Sequence, residues 1–232
     1  MKSNKILYII IGICTILVIG LCAFLIYNKE KVVLSDSEKF KEEFEKYNEA
    51  TYDNGEKLIS VDIDIDNPFI YKSAQEIVKI MQNEDAYILF GYATDPITRK
   101  SIEVLIEALK EKQIEKVYYV DIEDIRDKYS ISWPTELTEE GTESYQEIKA
   151  ILKDVLNEYY VNDFEKNMRY DTGNIGLYSP TFIAISKGNV QGFHEIVNET
   201  LDNYYSKLTE SEKKTLKNSY LEVINSMNSS EN

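Results

Sequence analysis

Asp62, Asp64 and Asp66 are the first residues in the chain whose type and spacing suggest chemistry, because alternate carboxylates can ligate calcium. A calcium loop begun at Asp62 needs glycine at its sixth position and glutamate at its twelfth; Asn67 and Ser73 stand there, so no metal site is expected. His194 is the single histidine. Its place near the end of a strand reads as an exposed or capping side chain, and a Ser-His or Cys-His device needing a second histidine is excluded. Asp95-Pro96 reads first as a helix start, with Asp95 as N-cap and Pro96 in the first helical position. Asp95 as an acid or base lacks a second titrating partner visible in the sequence, so no catalytic residue and no cofactor are expected. The two cysteines, Cys14 and Cys22, both lie in an apolar run and read as small apolar side chains.

That run is residues 6–27, 22 residues without a charge. At about 1.5 Å per residue it extends roughly 33 Å, enough for a hydrocarbon core. It is too long for the core of a cleaved signal peptide and no small-residue cleavage site follows. Leu21 before Cys22 is bulky where a lipoprotein signal wants a small residue. The expectation is one transmembrane helix at 6–27 after a short segment 1–5. Lys2 and Lys5 favour a cytoplasmic amino terminus, which puts the remainder outside, at the cell membrane, as a single-pass signal-anchor protein.

Charge separates these parts. In residues 1–31 four lysines face one glutamate, a balance of +3, so the formal −15 of the whole chain leaves −18 for the rest. Such a surface repels nucleic acid and anionic lipid headgroups. With 43% hydrophobic residues and only four prolines, the chain is suited to a packed core rather than disorder. Richness in Ile, Lys, Asn and Tyr matches low-GC bacterial composition.

Residues 28–57 read as a short stalk helix, a first packing helix or a solvated linker, with Phe40, Phe44 and Tyr47 at helical spacing. Val61–Asp66 alternates with period two, as in a half-buried strand. A helix capped at Ser73 follows to about Asn83, then a buried strand over 86–92 and an amphipathic helix bearing Ile102, Leu105, Ile106 and Leu109. Residues 116–122 form another strand, 123–143 are irregular, and 144 to about 160 is helical. Ser179–Ser186 is a strand entered through proline, joined by a Lys187-Gly188-Asn189 turn to a partner at Val190–His194. A helix over 195–208 and a C-terminal helix and tail over 209–232 end the chain. Alternating strands and helices demand parallel pairing, and the hairpin adds antiparallel neighbours. Trp133 and the paired tyrosines at 118–119, 159–160 and 204–205 read as packing residues or, alternatively, as a recognition surface.

Two blocks carry a family resemblance: Phe90-Gly91-Tyr92-Ala93-Thr94-Asp95-Pro96-Ile97-Thr98-Arg99 and Ser179-Pro180-Thr181-Phe182-Ile183-Ala184-Ile185-Ser186-Lys187-Gly188. Over roughly residues 58–205, within a domain drawn at 58–208, the chain resembles the thioredoxin-like superfamily, most of all the bacteriocin-transport accessory proteins. That family carries Cys-Pro-x-Cys before a long helix and a cis-proline strand later. The resemblance implies a thioredoxin-like mixed sheet flanked by helices. It sets Asp95 and Thr98 where the redox cysteines would be. A carboxylate and a hydroxyl cannot form a mixed disulfide, so disulfide exchange is lost. The implied function is a non-catalytic accessory module at the extracytoplasmic membrane surface, holding a peptide or protein partner at Asp95, Pro96, Thr98, Ser179 and Pro180. The alternatives are a thiol-disulfide oxidoreductase of that family, acting in envelope protein folding or bacteriocin export, and a structural module that displays the C-terminal helices.

Overall fold

Ser35 accepts a hydrogen bond from the Glu38 N–H while the Glu38 carboxylate reaches back to the Ser35 N–H, and this reciprocal cap starts helix α1 (Asp36–Glu45). The computed structural model describes residues 15, 18–20, 33–164, 166–196 and 204–227. The chain divides into two units, one up to Leu34 and one from Ser35 onward. In the first, Thr15 and Val18–Gly20 are helical. The rest of the span expected at 6–27 lies outside the described residues, and among those described no helix is long and apolar enough to cross a membrane.

After α1 come β1 (Phe69–Tyr71), α2 (Ala74–Asn83), β2 (Asp85–Gly91), α3 (Pro96–Glu111) and β3 (Val117–Asp121). Two small strands, β4 (Lys128–Tyr129) and β5 (Leu137–Glu139), precede α4 (Glu143–Leu152). Then follow β6 (Glu158–Asp163), β7 (Met168–Ile175), β8 (Thr181–Ser186), β9 (Asn189–Glu195) and α5 (Glu210–Ser226). The main sheet has the order β1-β3-β2-β8-β9. β1 and β2 both run parallel to β3, while β8 is antiparallel to both β2 and β9. The second unit is therefore an α/β structure with a mixed sheet flanked by helices.

Strand period two sorts the core. Ala86, Ile88 and Phe90 of β2 face α2 and α4, in a cluster with Ile77, Met81, Ile148 and Leu152. Leu89 faces the other way, toward α1, α3 and α5, with Phe40, Leu105 and Tyr220. On that side Phe40 stacks on Phe69 at 4.1 Å and on Phe44 at 4.5 Å, and meets Tyr119 edge-on at 4.9 Å.

Several expected elements differ. Of the alternatives for 28–57, α1 is the packing helix and not a detached stalk, since Phe40 and Phe44 are fully buried in the core; residues 28–32 lie outside the described residues. The C-terminal helix likewise belongs to the core, through Leu216, Tyr220, Val223 and Ile224, so no boundary falls at 208. The segment expected as a strand at Val61–Asp66 buries Val61 and Ile63 and exposes its aspartates, yet it is paired in no sheet. Side chains replace the ladder. The Val61 N–H donates to Asn48 Oδ1 at 3.0 Å, the Asp62 N–H to Glu103 at 2.8 Å and the Ile63 N–H to Glu45 at 2.9 Å. The helix expected over 144–160 stops at Leu152, because β6 and β7 form an antiparallel hairpin. The helix expected over 195–208 does not start at Glu195, which ends β9, and residues 197–203 lie outside the described residues.

Truncating Phe40 tests whether α1 is integral. Phe40→Ala is expected to destabilise the unit by about 3–5 kcal/mol, read by denaturant unfolding. A change under about 0.5 kcal/mol, typical of surface sites, would return residues 36–45 to the role of a stalk.

Candidate functional site

Asp95 caps α3: its Oδ2 accepts from the Thr98 N–H at 2.6 Å and from the Thr98 hydroxyl at 2.8 Å. Pro96 follows in the first turn, where its missing N–H costs nothing. The same Oδ2 also accepts from the Ser179 hydroxyl at 3.2 Å, and the Thr98 and Ser179 hydroxyl oxygens lie 2.8 Å apart. Two segments more than eighty residues apart in sequence are thereby closed on each other. Ser179 precedes Pro180 through a cis peptide bond, at the start of β8. Gly91, at the end of β2, makes room: a Cβ there would sit 3.2 Å from Thr98 Oγ1 and 3.6 Å from Ser179 Oγ. All five residues expected at the site, Asp95, Pro96, Thr98, Ser179 and Pro180, are buried and adjoin one another.

One turn further on, Arg99 is 1% exposed. Its guanidinium donates to the carbonyls of Ile59 at 2.6 Å, Phe44 at 2.8 Å and Ala93 at 2.9 Å, and to Asn48 Oδ1 at 2.7 Å. Among the described residues no carboxylate pairs with it. Arg99 is a brace that holds α1, the unpaired segment at 59–61 and the Asp95 turn in one arrangement.

Asp95 opens onto a cavity of about 310 Å³. One wall is the β6–β7 hairpin, with Tyr159, Tyr160 and Phe164; the other is the 126–131 segment, with Arg126 and Tyr129; Tyr92, Tyr178 and Tyr204 complete it. Gly176 lets Tyr159 lie flat, since a Cβ there would come within 2.5 Å of the Tyr159 ring. The Arg126 guanidinium lies 4.9 Å from the Tyr92 ring centre. Burial opposes its charge, but Tyr92, Tyr159 and Asp95 outweigh that and hold it above the ordinary arginine value. Burial pushes the Asp95 carboxyl up to about 6, against the lowering pull of the Thr98 N–H and hydroxyl, Arg126 and the Ser179 hydroxyl.

No family model, curated protein or solved structure matches this chain. What the site can do therefore rests on its own geometry.

The sequence gives no sign of Arg126, and it offers Tyr159, Tyr160 and Tyr204 as a recognition surface without placing them on cavity walls, because the walls fall in what reads as an irregular stretch and a helix. The available signal was the β-prone Tyr159-Tyr160-Val161 run followed by polar turn residues. His194 is neither exposed nor a cap. It packs edge-on against Tyr220 at 5.3 Å with Nε2 buried and unpartnered, and burial lowers its pKa. Asp62 and Asp64 sit near Lys41 and Lys110 at 3.8 and 3.6 Å. Trp133 is 76% exposed, which suits contact rather than packing.

Asp95 makes stability depend on pH. It holds its proton to about pH 6 when folded, against about 3.9 unfolded. Its contribution is full below the unfolded value and fades as pH rises through the folded one. Relative to Asp95→Asn, which keeps the cap, wild type is expected to lose about 1.4 kcal/mol between pH 5 and pH 7.5, read by denaturant unfolding. Parallel pH profiles for the two proteins would show that the carboxyl keeps an ordinary pKa.

Proposed function

We propose that the chain is a single-pass membrane protein whose second unit is a thioredoxin-like domain that has lost disulfide exchange and binds a partner segment at the extracytoplasmic surface. The observation that carries this reading is the 2.8 Å approach of the Thr98 and Ser179 hydroxyls, which sets the two resembling blocks at one buried junction on the cavity floor. The order β1-β3-β2-β8-β9, with three parallel strands and an antiparallel pair at one end, supports the thioredoxin-like frame. Asp95 and Thr98 then occupy the positions of a dithiol. Neither supplies a thiolate, so a bound segment is held and released without a covalent step. Exposed Ile131 and Phe164 line the cavity, and exposed Trp133, Leu137 and Met168 belong to the same two hairpin segments, offering apolar contact for such a segment.

Two experiments test the two halves of this reading. Asp95→Cys/Thr98→Cys is expected to form an intramolecular disulfide and to reduce insulin above the uncatalysed rate, while the wild-type chain gives none. A double variant with two unreactive, unpaired thiols would overturn the thioredoxin-like frame. For the binding role, a photo-crosslinker at Ile131 in intact membranes is expected to give adducts of discrete size, and the same probe at Lys79 on α2 is expected to give none. No adduct at Ile131, or equal adducts at both positions, would overturn the binding role.

A further inference from the structure

The cavity has a charge character of its own. Asp127 at its margin is neutralised by Lys149 at 2.7 Å, and Lys128 by Glu139 at 2.9 Å. Arg126 is left over. So is Arg169 of β7, which lines a small pocket of about 30 Å³ that shares Asn162, Tyr178, Ser179 and Tyr204 with the main cavity. Among the described residues no carboxylate lies within ion-pair distance of either guanidinium. Arg169 Nε is buried without a hydrogen-bond partner, and its guanidinium lies 4.7 Å from the Tyr160 ring centre. Two guanidinium groups without carboxylate partners among the described residues thus stand beside one cavity, in a unit whose net charge is strongly negative: Arg126 is set against the phenols of Tyr92 and Tyr159, which leave it no negative partner to neutralise it, and Arg169 keeps a buried donor unpaired.

We propose that this cavity binds a carboxylate carried on a flat apolar body, with Arg126 gripping the carboxylate and the tyrosine walls sandwiching the body. The planar guanidinium fork matches a carboxylate with two parallel hydrogen bonds. The rings of Tyr92, Tyr159 and Tyr204 supply faces and edges for a flat group, and the volume lies at the small end of ligand sites. A cationic ligand would meet Arg126 already set against the Tyr92 face. The proposal rests on reading this rim as a binding site, and it names what is bound there: the terminal carboxylate of a peptide ending in an aromatic residue, or a free aromatic acid.

Asp95 adds a pH dependence. The groups that share its field are Arg126, Lys100, and the phenols of Tyr52, Tyr92, Tyr159 and Tyr204, besides the hydroxyls of Thr98 and Ser179. The phenols hold their protons at neutral pH, so Asp95 is the group among these that changes charge between pH 5 and 8. Its ionised form repels an incoming carboxylate, so affinity rises as the pH falls through the range in which Asp95 takes up its proton, until the ligand itself is protonated.

The test is calorimetric titration of the full chain in lipid nanodiscs with four probes: 3-phenylpropionate, its amide, a tripeptide ending in phenylalanine with a free carboxylate, and the same tripeptide amidated. At least one carboxylate is expected to bind, with its amide weaker by about tenfold or more. Arg126→Gln is expected to lose the difference between acid and amide, and Arg126→Lys to keep part of it, with melting temperatures near wild type. Binding of 3-phenylpropionate without the peptide identifies a free acid as the source; binding of the peptide identifies a chain terminus. From pH 7.5 to 5.5 the wild-type affinity for the acid is expected to rise by about threefold or more, and that of Asp95→Asn to stay level. Amides that bind as well as acids, an Arg126→Gln variant that binds like wild type, or no acid binding at millimolar concentration would overturn the proposal. Those results would leave the membrane crosslinking result untouched, and a failed crosslink would leave the titration untouched.

Discussion

A single carboxylate oxygen, Asp95 Oδ2, accepts from one backbone N–H and two hydroxyls, and the geometry of the site depends on it. The Thr98 N–H is one of the orphan donors at a helix start and needs a partner wherever α3 begins. The Ser179 hydroxyl comes from the far side of the sequence and ties the start of β8 to the same point. A carboxylate is needed to take up several donors at once in a 2% exposed position; the burial that makes those bonds short also makes its charge costly. Helix capping and an elevated acid pKa are therefore two consequences of one placement, and neither has to be chosen over the other as the reason for Asp95.

Arg99 performs the complementary task. A guanidinium has donors only, and here four acceptors from three separate segments surround it. Two of those segments, the end of α1 and the stretch around Ile59, are in no sheet. Without a ladder the buried Ile59 carbonyl needs a partner, which Arg99 Nε–H supplies. This explains how Val61–Asp66 can show the alternation of a strand without being one. Period-two burial follows from extended backbone lying on a core, whereas pairing requires a free neighbouring edge, and here Asn48, Glu45 and Glu103 satisfy the N–H groups instead.

Legibility in the sequence followed the range of the forces. The buried strands β2, β3 and β8, the Lys187-Gly188 turn and the caps at Ser73 and Asp95 were readable because each is decided by a run of apolar residues or by neighbours within four positions. The adjacency of Asp95, Thr98 and Ser179 was readable only through the family resemblance, since nothing local joins positions 98 and 179. The cavity walls were not readable. In the sequence Tyr159 and Tyr160 continue the preceding helix, because the helical signal of 144–152 has no strong stop after it, whereas the hairpin is fixed by cross-strand partners such as Val161 and Tyr170. By sequence the tyrosines suit packing or recognition; in the structure Tyr159 does both, packed against Gly176 and lining the cavity.

On the proposed thioredoxin-like reading, replacing a dithiol by Asp95 and Thr98 changes what the junction can exchange. Two thiols exchange electrons with a partner through sulfur. A carboxyl poised near pH 6 and hydrogen-bonded to two hydroxyls exchanges one proton, and its charge state sets the field inside the cavity. Arg126 and the surrounding phenols sense that field without touching the junction's oxygens through an ion pair. On that reading a bond-forming centre gives way to an electrostatic one. The β4–β5 and β6–β7 hairpins build aromatic walls beside the junction, so that part of this field acts on a cavity partly screened from water by ring faces.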